Sequence, residues 1–306
     1  MNGDVLVTNN LNKTYGKFKA LDNVSITVKK GDIYGLIGRN GAGKTTLLRI
    51  IAGQSESSSG DMELLGKDKN INATRKYIGS MVENPGFLPY LTVYENLEYY
   101  RIAKGIPKTA GYIDDLINAI GLSEAKKKKF KNLSLGMKQR LGIGLALMGN
   151  PELLLLDEPV NGLDPMGIVE IRNLLLKLNK EKKMTIIISS HILSELSNLA
   201  TTYGFIDKGA MVEEISAKDL EEKCKACLEI KVDDAEKTAV LLEKKLHCTN
   251  YEILPHNVIH VYDYVNDPSV ISEAVIEEHI KLLNMEVKGQ TLEEYYISLL
   301  GGKENA

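Results

Sequence analysis

The chain has 306 residues, of which 43% are hydrophobic and 26% are charged, a balance typical of a soluble globular protein with room for one large and one small domain. Its 41 acidic and 38 basic residues give a formal net charge of −3, which argues against nucleic acid as a partner of the whole chain. No run of about 18 apolar residues is present, the N-terminal sequence predicts no secretory signal, and three cysteines favour a reducing compartment.

Short strands are predicted over residues 4–37. Val24, Ile26 and Val28 alternate with polar residues, which is the period of a half-buried strand. The continuous apolar run 33–37 predicts a buried strand that leads into a glycine-rich turn, and a helix is expected to begin near Lys44.

The glycine-rich turn matches the phosphate-loop pattern G-x-x-x-x-G-K-[ST] between a strand and a helix. It reads Gly38-Arg39-Asn40-Gly41-Ala42-Gly43-Lys44-Thr45, and Thr46 follows. Glycines allow backbone N–H groups to point at phosphates, and the helix N-terminus adds positive potential. We expect residues 38–46 to bind ATP, with Lys44 reaching the β- and γ-phosphates and the Thr45 hydroxyl binding Mg²⁺.

Residues from about 84 to 150 predict a helical insertion. Thr92 and Glu95 form a capping-box pattern, a second helix fits 109–120, and a third begins at Ser134. The insertion contains the basic run 126–131, which reads Lys-Lys-Lys-Lys-Phe-Lys. Two interpretations of that run stay open: a solvated face, or a patch that faces anionic lipid.

The alternation of buried strands and helices then resumes, which predicts a largely parallel sheet. Its expected elements are a strand at 153–156, a helix after Pro165, a strand at 185–190, a helix from His191 to about Leu199, and a hairpin around 207–209. Asp157 and Glu158 follow the first of these strands, at the carboxyl end of the sheet beside the phosphate loop. Asp157 is expected to hold Mg²⁺ through water, and Glu158 to orient and polarise the attacking water.

A small α+β appendage is predicted for residues 216–306. Its expected elements are a strand at 228–232, a helix at 234–246, strands within 251–262, a helix at 268–282, a strand at 285–288 and a helix at 292–300. Cys224 and Cys227 form a lone C-x-x-C, which is compatible with structural thiols or with a metal or redox role.

The segment Leu133-Ser134-Leu135-Gly136-Met137-Lys138-Gln139-Arg140 resembles the signature motif of ATP-binding-cassette (ABC) proteins, whose usual core is Leu-Ser-Gly-Gly-Gln. This copy departs from the usual core at Leu135 and Met137 and keeps Ser134 and Gly136. The resemblance implies that the motif faces the γ-phosphate bound by an opposite subunit. A chain with one phosphate loop and one signature therefore needs an identical or homologous second cassette.

Further positions match the family in order. Tyr15 is similar to the aromatic residue that stacks on adenine, Asp164 to the acid of the loop that connects the two active sites, and His191 to the switch histidine that contacts the γ-phosphate. Glu83 stands where the family usually has Gln and is a tentative Mg²⁺ ligand. Glu83 and the altered signature together resemble the bacterial transporters of bacitracin and lantibiotics. The resemblance also implies that residues 83–100 meet the membrane subunit.

The sequence thus predicts an α/β P-loop cassette ATPase with a mainly parallel sheet, an N-terminal antiparallel β part, a helical insertion and a small α+β appendage. The expected domains are 1–215 and 216–306. The expected function is to bind and hydrolyse ATP with Mg²⁺ as a dimer, and to power a permease on another chain that exports an antimicrobial peptide or drug. Such a chain would be cytoplasmic and peripheral on the inner face of a bacterial membrane. The alternative is a soluble cassette ATPase that drives a non-transport assembly.

Overall fold

The computed structural model describes residues 3–67, 71–82 and 86–301, and the chain divides into two compact units at the Ala217–Lys218 bond. The assignment of separate roles to residues 1–215 and 216–306 stays a prediction.

The first unit contains both strands and helices, as the sequence pattern predicts. Its strands are β1 (Asp4–Tyr15), β2 (Phe18–Val24), β3 (Thr27–Lys29), β4 (Ile33–Ile37), β5 (Ser59–Leu64), β6 (Ile78–Met81), β7 (Leu153–Asp157), β8 (Thr185–Ser190), β9 (Thr202–Asp207) and β10 (Ala210–Ser216). Its helices are α1 (Lys44–Ala52), α2 (Ile71–Thr74), α3 (Val93–Ala103), α4 (Tyr112–Ala119), α5 (Leu135–Leu147), α6 (Pro165–Lys182) and α7 (Leu193–Leu196).

The strands of the described part of this unit form two sheets. One has the order β10-β9-β4-β8-β7-β6, with parallel pairing except between β9 and β10. In the other, β1 pairs antiparallel with β2, β3 and β5. The continuous apolar runs of β4 and β7 are buried because strands of a parallel sheet are covered on both faces. The predicted cassette fold, with its parallel sheet and its N-terminal antiparallel part, is confirmed.

The helical insertion begins with the predicted capping box. The Thr92 hydroxyl accepts a hydrogen bond from the Glu95 N–H at 3.2 Å, and the Glu95 carboxylate accepts one from the Thr92 N–H at 2.8 Å. The second helix, α4, is shorter than the predicted 109–120, and α5 begins directly after Ser134.

One helix is much shorter than its prediction. Instead of a helix from His191 to about Leu199, only Leu193–Leu196 is helical. The Ser190 hydroxyl accepts a hydrogen bond from the Ile192 N–H at 3.0 Å, and Ile192 is extended. Such a side-chain bond to the backbone competes with the first helical turn and keeps His191 outside the helix.

The second unit is built from a split β-α-β arrangement. Its elements are α8 (Ala217–Cys224, which begins at the unit boundary), β11 (Cys227–Val232), α9 (Ala235–Lys244), β12 (Tyr251–Leu254), β13 (Val258–Val261), α10 (Pro268–Glu277), β14 (Leu282–Lys288) and α11 (Leu292–Gly301). The strands pair antiparallel in the order β12-β13-β11-β14, around a core that includes Leu228, Ile230, Leu242 and Ile259. The predicted α+β character of this part is confirmed.

The lone C-x-x-C lies at the start of this unit. Cys224 ends α8, Cys227 begins β11, and both carry free thiols. Burial raises the pKa of each thiol above its usual value, which disfavours the thiolate that metal binding and disulfide exchange require. Within the described ranges, no helix is both long and apolar enough to cross a membrane.

Candidate nucleotide-binding site

The phosphate loop joins β4 to α1 and needs its glycines. Gly41 and Gly43 have φ angles of +80° and +108°, a region that side chains with a Cβ rarely adopt. A Cβ at Gly38 would lie 2.5 Å from the carbonyl oxygen of Ile206, and one at Gly43 would lie 2.8 Å from that of Ala20. The loop therefore packs its backbone against neighbouring strands, as the sequence pattern requires.

Lys44 is the first residue of α1 and lies at the end of this loop. It is 5% exposed, and its Nζ donates hydrogen bonds to the carbonyl oxygens of Gly38 at 2.6 Å and Arg39 at 3.2 Å. The same Nζ lies 3.2 Å from the Glu158 carboxylate. A buried ammonium needs such partners, and they hold its charge at the concave side of the loop where an anion would bind.

The loop borders a cleft of about 220 Å³. The cleft is lined by Phe18, Ala20, Asn40, Gly41, Ala42, Gly43, Lys44, Thr45, Thr46 and Glu158. Most of the residues predicted to bind nucleotide are thus brought together, while Gly38 and Arg39 lie at the start of the loop.

An aromatic residue that sequence reasoning missed also reaches this cleft. Phe18 is 63% exposed and lines it, whereas the predicted Tyr15 does not belong to its lining. The two residues face each other across the β1–β2 hairpin, and the Lys13 Nζ lies 4.9 Å from the centroid of the Tyr15 ring. The sequence offered only a weak signal for Phe18, an aromatic residue two positions after the turn glycine Gly16.

The Asp157 carboxylate is held at the end of β7 by two hydroxyls. Thr45 donates a hydrogen bond to one carboxylate oxygen at 2.7 Å, and Ser189 donates to the other at 2.6 Å. The Ser189 hydroxyl also accepts a bond from the Glu158 N–H at 2.9 Å. Ser189, which was not predicted, therefore fixes both acids. Its only signal in the sequence is that it is the first of two serines after the apolar run 186–188.

The Glu158 carboxylate is held from several directions. Besides its ion pair with Lys44, it lies 3.0 Å from His191 Nδ1 and accepts a hydrogen bond from Asn161 Nδ2 at 3.1 Å. Glu158 has a φ angle of +46°, which is unusual for a residue other than glycine and is sustained by these surroundings. A carboxylate oriented in this way can accept a proton from a water molecule next to the phosphate loop.

The donor set at Thr45 and Asp157 fits Mg²⁺. Protein sites for Mg²⁺ usually supply one or two hard oxygen ligands and leave the remaining positions to water and substrate phosphates. No group of three or more His, Cys, Asp or Glu side chains within the described residues is placed to hold a metal. Glu83, the other tentative ligand, lies outside the residues that the structure describes.

The signature motif forms a second cleft, of about 460 Å³. Its lining consists of Ser134, Leu135, Gly136, Met137, Arg140, Gly162, Leu163, Asp164, Met166, Gly167 and Glu170. Ser134 caps α5 by accepting a hydrogen bond from the Met137 N–H at 3.3 Å. Asp164 caps α6 by accepting one from the Gly167 N–H at 3.0 Å. The structure therefore brings the signature and the Asp164 loop together, in a cleft that shares no lining residue with the first.

Comparison with known proteins places this geometry in a family. Residues 21–161 match the family described as ABC transporter. The bacitracin transport ATP-binding protein BcrA of Bacillus licheniformis is 42% identical over 97% of this chain and 98% of its own. The lantibiotic transport ATP-binding protein SrtF of Streptococcus pyogenes is 43% identical over 69% of this chain and 90% of its own.

Solved structures of ATP-binding cassettes have folds similar to that of this chain. The ADP conformation of MJ1267, an ATP-binding cassette of an ABC transporter, superposes with a TM-score of 0.66 at 30% identity over 72% of this chain and 94% of its own. A dimeric post-hydrolysis state of the cassette MJ0796, bound to ADP and phosphate, gives 0.61 at 27% identity over 69% and 98%. Because BcrA is 42% identical over 97% of this chain, the chain belongs to the ATP-binding cassette proteins of the ABC transporter family.

Proposed function

We propose that this chain binds ATP with Mg²⁺, hydrolyses it between two cassettes, and thereby powers a permease carried on another chain. The observation that carries the proposal is the Glu158 carboxylate, which is held by Lys44, His191 and Asn161 beside the phosphate loop. A module that only bound ATP would have no need of a carboxylate fixed in this place.

The reaction is phosphoryl transfer to water, and the protein contributes positioning and charge. The loop N–H groups and the Lys44 ammonium bind the phosphates and neutralise charge on them. Glu158 accepts the proton of the attacking water. His191 holds the Glu158 carboxylate in place and also contacts the γ-phosphate. Mg²⁺, held by Thr45 and Asp157, supplies neutralisation of the phosphate oxygens when it is bound. Tyr15 is proposed to stack on adenine.

A second cassette completes the site in this proposal. The signature and the phosphate loop line separate clefts, and a Cβ at Gly136 would meet only Leu163 at 3.8 Å, which is an ordinary contact. Nothing within the described part of the chain therefore requires glycine there, which supports a close approach by the nucleotide of an opposite subunit. The second cassette is a copy of this chain or a homologue, and the similar dimeric cassette supports this arrangement.

The proposed cargo is a peptide antibiotic of the bacitracin or lantibiotic kind, which the cell exports to protect itself. This part rests on the transport roles in the names of the similar proteins. The permease is proposed to contact residues 83–100, a region whose described part exposes Tyr90 by 71% and Tyr99 by 49%. The chain would then be cytoplasmic and peripheral at the inner face of the membrane.

The substitution Glu158→Gln tests the catalytic proposal. We expect phosphate release to fall by about 10²–10³-fold, because the amide cannot accept the proton. ATP binding should persist, and a dimer should accumulate in light scattering with ATP and Mg²⁺. Glu181→Gln, on the exposed end of α6, is the matched control and should behave as wild type. Wild-type turnover in Glu158→Gln would remove Glu158 from catalysis.

A further inference from the structure

The basic run 126–131 is a fixed part of the helical insertion. It lies against the segment that leads into α3, where the Val93 N–H donates to the Lys128 carbonyl at 3.1 Å and the Tyr94 N–H to the Lys126 carbonyl at 3.2 Å. The Phe130 N–H donates in turn to the Leu91 carbonyl at 2.9 Å. The bonds from Val93 and Tyr94 satisfy two of the free N–H groups in the first turn of α3, and together with the bond from Phe130 they hold the lysine run in a defined position.

Aromatic rings alternate with the lysines on this surface. The Lys126 Nζ lies 4.8 Å from the centroid of the Tyr94 ring, and the Lys131 Nζ lies 4.9 Å from that of Tyr90. Tyr90 itself is 71% exposed. We name this surface, comprising Tyr90 and Lys126 to Lys131, the lysine–tyrosine face. Tyrosines and long lysine side chains are the residues that proteins place where a polar headgroup layer meets an apolar one.

Most of its positive charge is not neutralised within the chain. Lys126 pairs with Asp114, but Lys127, Lys128 and Lys129 are exposed and form no ion pair with another described residue. The Glu95 carboxylate accepts hydrogen bonds from the N–H and the hydroxyl of Thr92, and these bonds, with a smaller contribution from Lys129, lower the pKa of Glu95. The whole chain carries a net charge of −3, so attraction to an anionic surface has to be local.

We infer that the lysine–tyrosine face contacts the anionic lipid headgroups of the membrane that holds the permease. The inference rests on the proposed function, because the lysine run is hydrogen-bonded to residues within the 83–100 region that is proposed to meet the permease. Three unpaired lysines close to an anionic surface are expected to strengthen binding by about 100-fold in total.

Vesicle sedimentation of the full-length protein tests the inference without the permease. We expect binding to phosphatidylcholine vesicles that contain phosphatidylglycerol, none to phosphatidylcholine alone, and a loss of binding as salt is raised. The triple variant Lys127→Gln, Lys128→Gln, Lys129→Gln should reduce partitioning by about 100-fold. The matched control is Lys177→Gln, Lys180→Gln, Lys182→Gln, which removes the same charge from exposed positions of α6 and should bind as wild type.

Four further outcomes distinguish a failure of this inference from a failure of the proposed function. Equal binding by the two triple variants, or no preference of the wild type for the anionic vesicles, would overturn the inference. Another outcome is that the tagged Lys127–Lys129 variant fails to retain the permease when it is isolated from cells, while its binding to vesicles is unchanged. That result would overturn the inference too, because the lysines would then contact an acidic segment of the protein partner. Absence of ATP hydrolysis in the wild type would instead count against the proposed function, whatever the vesicles show.

Discussion

At the scale of single residues, the site is organised by side chains that hold other side chains. Ser189 bonds to the Asp157 carboxylate and to the Glu158 N–H, and Asn161 and His191 bond to the Glu158 carboxylate. These contacts leave the two acids few orientations. The proposed reaction needs such preorganisation, because a protein that supplies positioning and charge works only if its groups are already in place.

Gly136 is expected to be needed for ATPase activity but not for the stability of the fold. Since α5 has room for a methyl group there, Gly136→Ala is expected to leave stability unchanged or to raise it by about 0.5–1 kcal/mol, the helical preference of Ala over Gly. ATPase activity should fall by about tenfold or more, because the methyl would obstruct the nucleotide of the opposite subunit. Thermal melting and phosphate release measure the two effects.

Gly79→Ala, in contrast to Gly136→Ala, is expected to destabilise the fold. A Cβ at Gly79 would lie 2.0 Å from the carbonyl oxygen of Ala146, so this change should lower stability by about 3 kcal/mol. If Gly136→Ala kept full ATPase activity, the close approach of a partner nucleotide to the signature would be excluded.

At the scale of elements, two roles are considered for Asp164, the residue that precedes α6. Asp164 caps the helix, and it is also proposed to act in the loop between the two active sites. Asp164→Ala should cost about 1 kcal/mol of stability, because the cap is lost. Asp164→Asn should cost less than about 0.5 kcal/mol, because Asn caps nearly as well as Asp.

Activity then separates the two duties of Asp164. We expect both variants to lose ATPase activity by about tenfold, since each removes the charge. Measured turnover at the wild-type rate in Asp164→Asn would show that the residue serves only as a helix cap.

The sequence predicted elements best where a local signal was strong. The strand Thr185–Ser190 and the capping box at Thr92 and Glu95 form as expected because burial and capping act on adjacent residues. The prediction of a helix from His191 was wrong because the Ser190 hydroxyl accepts a hydrogen bond from the Ile192 N–H, which keeps His191 and Ile192 out of the helix.

Other elements gave too weak a signal. β5 and β6 were not predicted, since β5 is largely exposed and β6 is a short strand beside β7. Phe18 was missed at the cleft because pairing across a hairpin brings it there, and that pairing is a property of the folded chain. Ser189 was missed for a similar reason, because only the parallel register of β7 and β8 places it beside Asp157.

At the scale of the whole molecule, the central question is what the cassette drives. Transport and a soluble assembly would use the same hydrolytic site, so the chemistry of Glu158 cannot separate them. The partner can, because a permease crosses the membrane and an assembly factor does not. A cassette arrested with ATP bound should hold that partner longest, because we propose that bound ATP joins the two cassettes and that hydrolysis separates them.

We therefore expect tagged Glu158→Gln, isolated with ATP from its native cell, to retain a polytopic membrane protein in the membrane fraction. The double variant Lys44→Ala, Glu158→Gln is the control, because loss of the buried ammonium should prevent phosphate binding and with it the arrested state. Mass spectrometry should detect the membrane protein at least about tenfold more with the single variant than with the double. Recovery of soluble partners alone would contradict the transport proposal and favour an assembly ATPase, while the ATP chemistry at Glu158 would be unaffected.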